Sequence, residues 1–397
     1  MKRFIAACLL WIAILPGALA AKIVSQPLSD ADMRTLAKAV EVVDSGNYAR
    51  ALEIYRQLDE KYPHNYLVQY EYMYLRYLME DYKTVAKVAK DLVESPDADA
   101  QAFQLYGNAL DILGKPGKAR KVYRKGLERF PSSGLLWLEL GNLNFLGGKY
   151  VDALNDYNSG IEVSPGFASN YYRGAQLYFS STVPVWGLAY AETAILLAPT
   201  DTGRHRELAL AMAECFRKNI TVKLTPEGEN ISITLATLHQ ITKTAGNDSI
   251  YLSFPSVYEA CVARGVTEMA ASGEVFVGTI PQLAKLRRAA VEAYFTNGRN
   301  LFGNSMYLLE YQKRVIDAGH WDAYNYFLFS VADQADTAAW LADNEEKFRD
   351  FAHWYSLNPL TLDKQHTVGF NTILDNCTPL TPEEVGTFLG GIAAKPK

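Results

Sequence analysis

The amino-acid sequence predicts a mainly α-helical (all-α) protein, in which a solenoid of helical hairpins is followed by a second, α-rich half. The first observation behind this fold class is a set of five prolines that recur about every 34 residues, a period typical of repeated helical hairpins. The second is the loss of that period after residue 218. The third is the composition: 49% of the 397 residues are hydrophobic and 21% are charged, as in packed globular chains. The periodic prolines are Pro63, Pro96, Pro131, Pro165 and Pro199.

Other residue types recur in phase with the prolines. A glycine marks the predicted turn of a hairpin, an alanine follows in the second helix, and a tyrosine comes one helical turn later. These residues are Gly46, Gly114 and Gly148, then Ala51, Ala119 and Ala153, then Tyr55, Tyr123 and Tyr157. Each proline would end a second helix, because it has no backbone N–H to continue the hydrogen-bond ladder. One hairpin cannot bury its apolar face alone, so the hairpins are expected to stack and share a core.

The segment Trp137-Leu138-Glu139-Leu140-Gly141 carries the W-x-x-L-G signature. With the period, it resembles the tetratricopeptide repeat (TPR) family over about residues 32–199. The resemblance implies five antiparallel helix pairs that act as a binding scaffold rather than a catalyst. An amphipathic stretch at 204–218 predicts a capping helix. We therefore expect a TPR solenoid over residues 32–218 that folds without the second half.

Residues 219–397 are predicted to form an α-rich C-terminal domain of unknown function. Alternating residues after Ile220 predict a short β-hairpin, and a helix that begins near Leu235 is the competing interpretation. Apolar periodicity predicts further helices over residues 281–296, 306–318, 321–332, 337–355 and 382–389.

The N-terminus has the order of a secretory signal peptide over residues 1–20. A basic start is followed by an apolar run from Phe4 to Leu15 and by a small-x-small cleavage box that ends at Ala20. The apolar run is too short to span a bilayer, and too little of it precedes Cys8 for a lipoprotein box. A periplasmic or otherwise exported protein with no transmembrane segment is expected. The net charge of −5 is unsuited to general binding of nucleic acid.

Residues that could carry chemistry form no spaced motif. Cys215, Cys261 and Cys377 contain no C-x-x-C pair, so one disulfide, Cys261 to Cys377, and three buried thiols remain equal alternatives. No metal site and no cofactor is predicted. His320 and His353, each followed by a tryptophan, are interpreted as aromatic packing at helix ends. An enzyme would instead need convergence of a set such as His239, Asp248, Cys261, His320 and His366, with Cys261 and His239 as a nucleophile pair.

One helix of the third repeat is strongly basic. Its cations are predicted to form a solvated face, with an anionic peptide, polysaccharide or lipid headgroup as the alternative partner. They are Lys115, Lys118, Arg120, Lys121, Arg124, Lys125 and Arg129.

The first helix of each repeat carries the candidate binding residues. Tyr74, Asn108, Asn142 and Gln176 follow one another at intervals of exactly one repeat period, and amides can hydrogen-bond both the N–H and the C=O of an extended peptide. The full candidate set is Tyr70, Tyr74, Asn108, Asn142, Tyr172, Arg173 and Gln176. The alternative is that the amides only bridge neighbouring helices. The predicted function is an exported protein–protein interaction module that holds a peptide or protein partner in its concave groove. A structural component of an envelope assembly and an enzyme in the second half are the competing hypotheses.

Overall fold

The computed structural model describes residues 26–225, 228–233, 244–245, 249–296 and 300–393. The predicted signal peptide, the helix that would begin near Leu235, and the side chains of His239 and Asp248 lie outside the described part. No helix among the described residues is long and apolar enough to cross a membrane. The chain divides between Lys115 and Pro116 into two compact units.

In the part that the structure describes, the first unit contains five helices, and the second begins with six more that continue the same spacing. Helices α1 and α2, and likewise α3 and α4, pack as hairpins in the first unit; α7 with α8 and α9 with α10 do so in the second. In the first unit they are α1 (Asp30–Asp44), α2 (Tyr48–Lys61), α3 (Tyr66–Leu78), α4 (Tyr82–Leu92) and α5 (Ala100–Ile112). In the second they are α6 (Pro116–Arg129), α7 (Gly134–Leu146), α8 (Tyr150–Val163), α9 (Ala168–Phe179), α10 (Pro184–Leu197) and α11 (Thr202–Asn219).

The helix starts keep the repeat period that the prolines predict. Helices α3, α5, α7, α9 and α11 start one repeat period apart, and so do α2, α4, α6, α8 and α10. The capping helix α11 therefore begins where the first helix of a sixth repeat would begin. Its Leu208, Met212 and Cys215 are buried, as the amphipathic pattern predicts.

The turns inside the hairpins show why glycine recurs there. Gly46, Gly114 and Gly148 have φ values of 83°, 74° and 71°, a left-handed conformation that costs glycine little. In the second repeat the same turn places Glu80 at φ 60°. The turn geometry is thus kept even where the sequence departs from glycine.

Gly141 on α7 allows α8 to approach closely. A Cβ atom built at Gly141 would overlap the ring of Tyr157 on α8, and Tyr157 is 1% exposed. This contact is the close approach of the two helices that the W-x-x-L-G signature predicts.

Replacing Gly141 with leucine is therefore expected to lower the free energy of unfolding by about 1–3 kcal/mol through overpacking. The matched control is Gly117→Leu on α6, where a Cβ meets nothing within 4 Å. Urea unfolding measures both variants. Because leucine favours a helix more than glycine does, an equal loss in the two would show that the effect does not come from the contact with Tyr157.

The second half begins with a hairpin of two strands, as one of the two sequence interpretations expects. Strand β1 (Ile220–Thr225) pairs antiparallel with β2 (Gly228–Ile233), with Ile220 opposite Ile233. A second pair is formed by β3 (Thr244–Ala245) and β4 (Ser249–Ile250).

Seven α-helices and one 3₁₀ turn follow in the described part. They are α12 (Phe254–Ala271), α13 (Ile280–Phe295), η1 (Gly303–Ser305), α14 (Tyr307–Asp317), α15 (Trp321–Phe329), α16 (Gln334–Leu357), α17 (Phe370–Asn376) and α18 (Pro382–Ala393). The five helices predicted from periodicity are present within a few residues. The sequence analysis missed α12 and α17. The N-terminal signal of α12 is present, because Ser253 accepts a hydrogen bond from the Ser256 N–H and Pro255 stands in the first turn.

The last repeats and the second half share one hydrophobic core. A single buried cluster contains residues of α8 to α11 together with residues of α12 to α18. Helix α10 is central to it: every residue from Pro184 to Leu196 is buried. The sequence period ends at residue 218, between Phe216 and Ile220, which both belong to this core. Folding of residues 32–218 without the second half stays a prediction, and the shared core argues against it.

Candidate functional site

We call the candidate set on the first helices the binding wall. The first unit carries three of its residues, Tyr70, Tyr74 and Asn108, which are all half-buried. The Tyr70 hydroxyl donates to Gln101 Oε1 at 2.8 Å, and the Tyr70 ring lies 6.0 Å from that of Tyr66. Helices α3 and α5 are thus linked through aromatic and amide side chains, the residue types that the sequence analysis assigned to a peptide-binding wall.

In the second unit Asn142 is engaged at both ends of its amide. Its Nδ2 donates to Glu139 Oε2 at 3.1 Å, and its Oδ1 accepts from the Tyr157 hydroxyl at 3.1 Å. This is the arrangement that the alternative interpretation expects, in which an amide bridges α7 and α8. A peptide could bind Asn142 only by sharing or replacing these bonds.

Tyr172, Arg173 and Gln176 form a polar network with the capping helix. The Tyr172 hydroxyl donates to Glu207 Oε2 at 2.6 Å, and Gln176 Nε2 donates to the Tyr172 hydroxyl at 3.0 Å and also to Glu207. Arg173 donates to Gln176 Oε1 at 3.1 Å. Partial burial, together with Glu207, raises the pKa of Tyr172.

The sequence analysis missed the contribution of α11 to this surface. Arg204 lies over the Tyr172 ring at 4.8 Å, and Glu207 stands one repeat period after Arg173. A step of one repeat period from Arg173, a candidate residue, leads into α11 and would have found Glu207. The surface is therefore charged, with two arginines around one carboxylate.

A groove opens on another side of the repeats, between α6 and α8 over α7. We call it the open groove; its volume is about 830 Å³. Arg120 donates to Asn144 Oδ1 at 2.8 Å, and Asn144 Nδ2 donates to Asp156 Oδ2 at 2.6 Å. Burial raises the pKa of Asp156, which the Asn144 bond partly offsets. The lining residues are Arg120, Arg124, Leu127, Glu128, Trp137, Leu140, Asn144, Lys149, Asp152, Asn155 and Asp156.

Two cations of the predicted basic cluster, Arg120 and Arg124, line the open groove. Arg120 is half-buried, whereas Arg124 is exposed. Lys118, Lys121 and the remaining cations of α6 are exposed too. The face is thus mainly solvated, as predicted, with one arginine drawn into a hydrogen-bonded network.

The residues considered for catalysis have separate packing partners. Cys215, Cys261 and Cys377 are free, buried thiols, so the disulfide alternative is not formed. Burial raises the pKa of Cys261 to about 12, which disfavours the thiolate that a nucleophile needs. His320 packs on Trp354 with ring centroids 5.4 Å apart, as the aromatic-packing interpretation expects.

His366 has partners of another kind. It lies beside Asp363 at 3.2 Å and against Tyr307. His353 is exposed. Among the described residues no group of three or more side chains is arranged to hold a metal ion.

A buried ion pair in the second unit was also missed from sequence. Arg287 on α13 and Glu192 on α10 approach to 2.6 Å, with side chains 2% and 4% exposed. Glu192 also accepts from Gln312 at 2.8 Å and from the Tyr324 hydroxyl. Burial lowers the pKa of Arg287, but Glu192, Tyr324 and Tyr258 together outweigh burial, so that the pKa is raised. Glu192 is the one charged residue between Thr182 and Ala198, which is a signal that sequence analysis could have used.

Comparison with known proteins identifies the repeats. Residues 100–143 match the family model described as tetratricopeptide repeat. No functionally curated protein is significantly similar to the chain. Among solved structures, a thermophilic TPR protein of Thermus thermophilus is 18% identical, with 46% of this chain and 98% of that chain covered and a TM-score of 0.40.

Two further solved structures are similar at low identity. A tetratricopeptide repeat protein from Parabacteroides merdae ATCC 43184 is 13% identical, covering 81% of this chain and 98% of that chain with a TM-score of 0.37. YrrB, described as a TPR protein with an unusual peptide-binding site, is 18% identical, covering 44% and 91% with a TM-score of 0.32. The matched segment and the regular spacing of the helix starts together show that this chain contains tetratricopeptide repeats.

Proposed function

We propose that this protein is an exported scaffold that binds a peptide or protein partner through its repeats. The observation that carries the proposal is the repeated helical hairpin itself, because stacked repeats are used to build extended binding surfaces. Fold alone does not fix function, so the partner has to come from the chemistry of the surface. Export rests on the signal-peptide pattern of residues 1–20.

The first helices supply the proposed binding wall. Tyr70, Tyr74 and Tyr172 offer rigid aromatic surface with a polar end, a residue type enriched in protein interfaces. Asn108 is half-buried on α5 and offers an amide that can pair with a peptide backbone. Arg173, Arg204 and Glu207 add charges of both signs. We therefore expect a polar partner segment rather than a purely apolar one.

The proposal predicts that an Asn108→Ala plus Asn142→Ala double variant recovers about tenfold less partner in a crosslinked pull-down, since each lost hydrogen bond contributes about 0.5–1.5 kcal/mol. The partner would be identified by mass spectrometry of the exported fraction. Asn304→Ala serves as the control, because Asn304 is an exposed residue of the η1 turn.

Thermal unfolding has to accompany this measurement, because Asn142 also bonds Tyr157. A folded double variant that retains its partner would contradict the proposed wall. Failure to recover any stoichiometric partner from the exported fraction would contradict the scaffold function itself.

A further inference from the structure

The turn of the fourth repeat, between α7 and α8, exposes a cluster of large apolar side chains. Leu146 and Val151 are 74% and 75% exposed, more than any other large apolar side chain in the described part of the chain. Tyr150 and Phe145 are 57% and 38% exposed, and their rings contact edge to face with centroids 5.6 Å apart. We call these four residues the apolar tip. Single exposed apolar side chains are common, whereas clusters of them mark sites of interaction with proteins or membranes.

The repeat itself does not need an apolar residue at Val151. The same position holds Lys83 and Gly117 in the two preceding repeats. In the fifth repeat it holds Val185, which is 1% exposed because it belongs to the core that the repeats share with the second half. An apolar residue at this position is thus covered in the fifth repeat and uncovered in the fourth.

Exposed lysines stand at the same end of the fourth repeat. Lys149 lies in the turn itself, and Lys118 and Lys121 lie in the first two turns of α6; all three are exposed. Arg120 donates to Asn144 Oδ1 at 2.8 Å, and Asn144 directly precedes the apolar tip. The start of α6 therefore lies beside the end of α7, and the basic face of α6 borders the apolar tip within the second unit.

The charge at this edge is positive although the whole chain is acidic. Residues 116–122 and 145–153, which the structure describes completely, contain three lysines, Arg120 and a single acid, Asp152. Asp152 is exposed and lines the open groove. The edge thus combines an apolar centre with a rim of cations.

This combination favours a lipid surface over another protein. Binding in the plane of a membrane interface adds the burial of apolar side chains to the attraction of cations by anionic lipids. Tyrosine and lysine suit that boundary, because each has an apolar body and a polar end. A second copy of the chain would bring two sets of lysines together, which disfavours self-association through the tip. A rigid partner would need a pocket shaped to cover a projecting turn.

We propose that the apolar tip and its lysines dock the protein on a membrane surface that contains anionic phospholipid. Leu146 and Val151 enter the boundary between headgroups and acyl chains, and Lys118, Lys121 and Lys149 pair with lipid phosphates. The basic face of α6 thereby has the lipid headgroup as its partner. The inference does not depend on the proposed scaffold function; it adds a place at which a scaffold would act.

The test measures binding to lipid vesicles by co-sedimentation. Residues 21–397 are used, because the apolar run from Phe4 to Leu15 would bind lipid by itself, and this chain keeps every described residue. The vesicles contain phosphatidylcholine alone or an equal mixture with phosphatidylglycerol. We expect half of the protein to sediment with the mixed vesicles at about 1 mM lipid or less, and binding to the neutral vesicles to be about tenfold weaker.

A double variant tests the apolar tip. Leu146→Ser plus Val151→Ser should bind the mixed vesicles about tenfold more weakly, because two apolar side chains no longer leave water. The matched control is Leu357→Ser plus Val277→Ser, which removes the same side chains at positions 69% and 62% exposed on other elements. The control should bind as the original protein does. Equal binding by the two double variants would overturn the proposal.

A second pair of variants tests the lysines. Lys118→Gln plus Lys121→Gln should bind the mixed vesicles about tenfold more weakly and the neutral vesicles as before. Lys218→Gln plus Lys364→Gln is the control, since both positions are exposed in the second unit. An equal loss in the control would show that the attraction is not local to α6, and would overturn the proposal.

Other occupants of the tip give different results. Absence of binding to the mixed vesicles would overturn the proposal, as would equal binding to mixed and neutral vesicles. Sedimentation equilibrium without lipid tests self-association: a dimer that Leu146→Ser plus Val151→Ser abolishes would overturn the proposal and assign the tip to a second copy. The Asn108→Ala plus Asn142→Ala variant should bind vesicles as the original protein does, so that failure of the scaffold function and failure of membrane docking are distinguishable.

Discussion

Replacing Glu192 with alanine is expected to lower the free energy of unfolding of the second unit by about 3–5 kcal/mol. The variant leaves the Arg287 guanidinium buried, with a side chain 2% exposed, and without its counter-charge. Gln312 and Tyr324 lose the acceptor that they share. The rings of Trp321 and Phe329 lie 5.2 and 5.4 Å from the guanidinium, and cation–π contacts of this kind replace only part of a lost charge pair.

The control for this effect is Glu292→Ala. Glu292 pairs with Arg288 at 2.8 Å on the surface of α13, with side chains 47% and 48% exposed. An exposed pair of this kind contributes about 0–1 kcal/mol. Urea unfolding of both variants gives the comparison, and similar losses for the two would contradict the burial of the Glu192–Arg287 pair.

A double variant separates the charge from the packing. Glu192→Leu together with Arg287→Met replaces the ion pair by apolar side chains, which is often neutral or stabilising by about 1–4 kcal/mol. We expect it to recover most of the stability lost in Glu192→Ala. If it does not, the hydrogen bonds to Gln312 and Tyr324 contribute more than the ion pair.

The repeats were predictable from sequence because each turn, each helix start and each close helix contact requires a particular residue type at one position. Gly148 adopts a positive φ, and Gly141 leaves room for the ring of Tyr157. Glycine recurs with the repeat period at both positions. The helices of the second half were found where apolar periodicity was clear. Helix α12 was missed because both of its faces are partly buried, from Val257 to Met269, and such a helix has weak amphipathic periodicity.

The candidate sites were less predictable, because they depend on contacts between residues distant in sequence. The ladder of Asn142 and Gln176 was visible, but the partners that engage them, Tyr157 and Glu207, became apparent only in the structure. Likewise, no local pattern indicates that the Phe370 N–H donates to the hydroxyl of Tyr190, which lies 180 residues earlier in the chain.

The shared core leads to the second large effect, which concerns a chain ending at Asn219. In the full protein Trp186 of α10 packs on Phe254 with ring centroids 4.9 Å apart and on Phe370 at 5.6 Å. Truncation removes both contacts, together with the charge partner of Glu192. Each large apolar side chain that returns to water costs about 1.5–3 kcal/mol, and a domain has only about 5–15 kcal/mol of stability in total.

We therefore expect α9 to α11 to lose their stable structure in the truncated chain, although the repeat period continues through them. Hydrogen exchange measures this directly, since amides of α10 should approach the rate of an unfolded peptide. The first unit provides the internal control. Its α1 to α3 share a separate buried cluster that includes Leu36, Ala51 and Tyr55, so their amides should remain protected. Equal protection of α10 in the truncated and full-length chains would mean that the repeats are stable alone, and that the second half docks on them without completing their core.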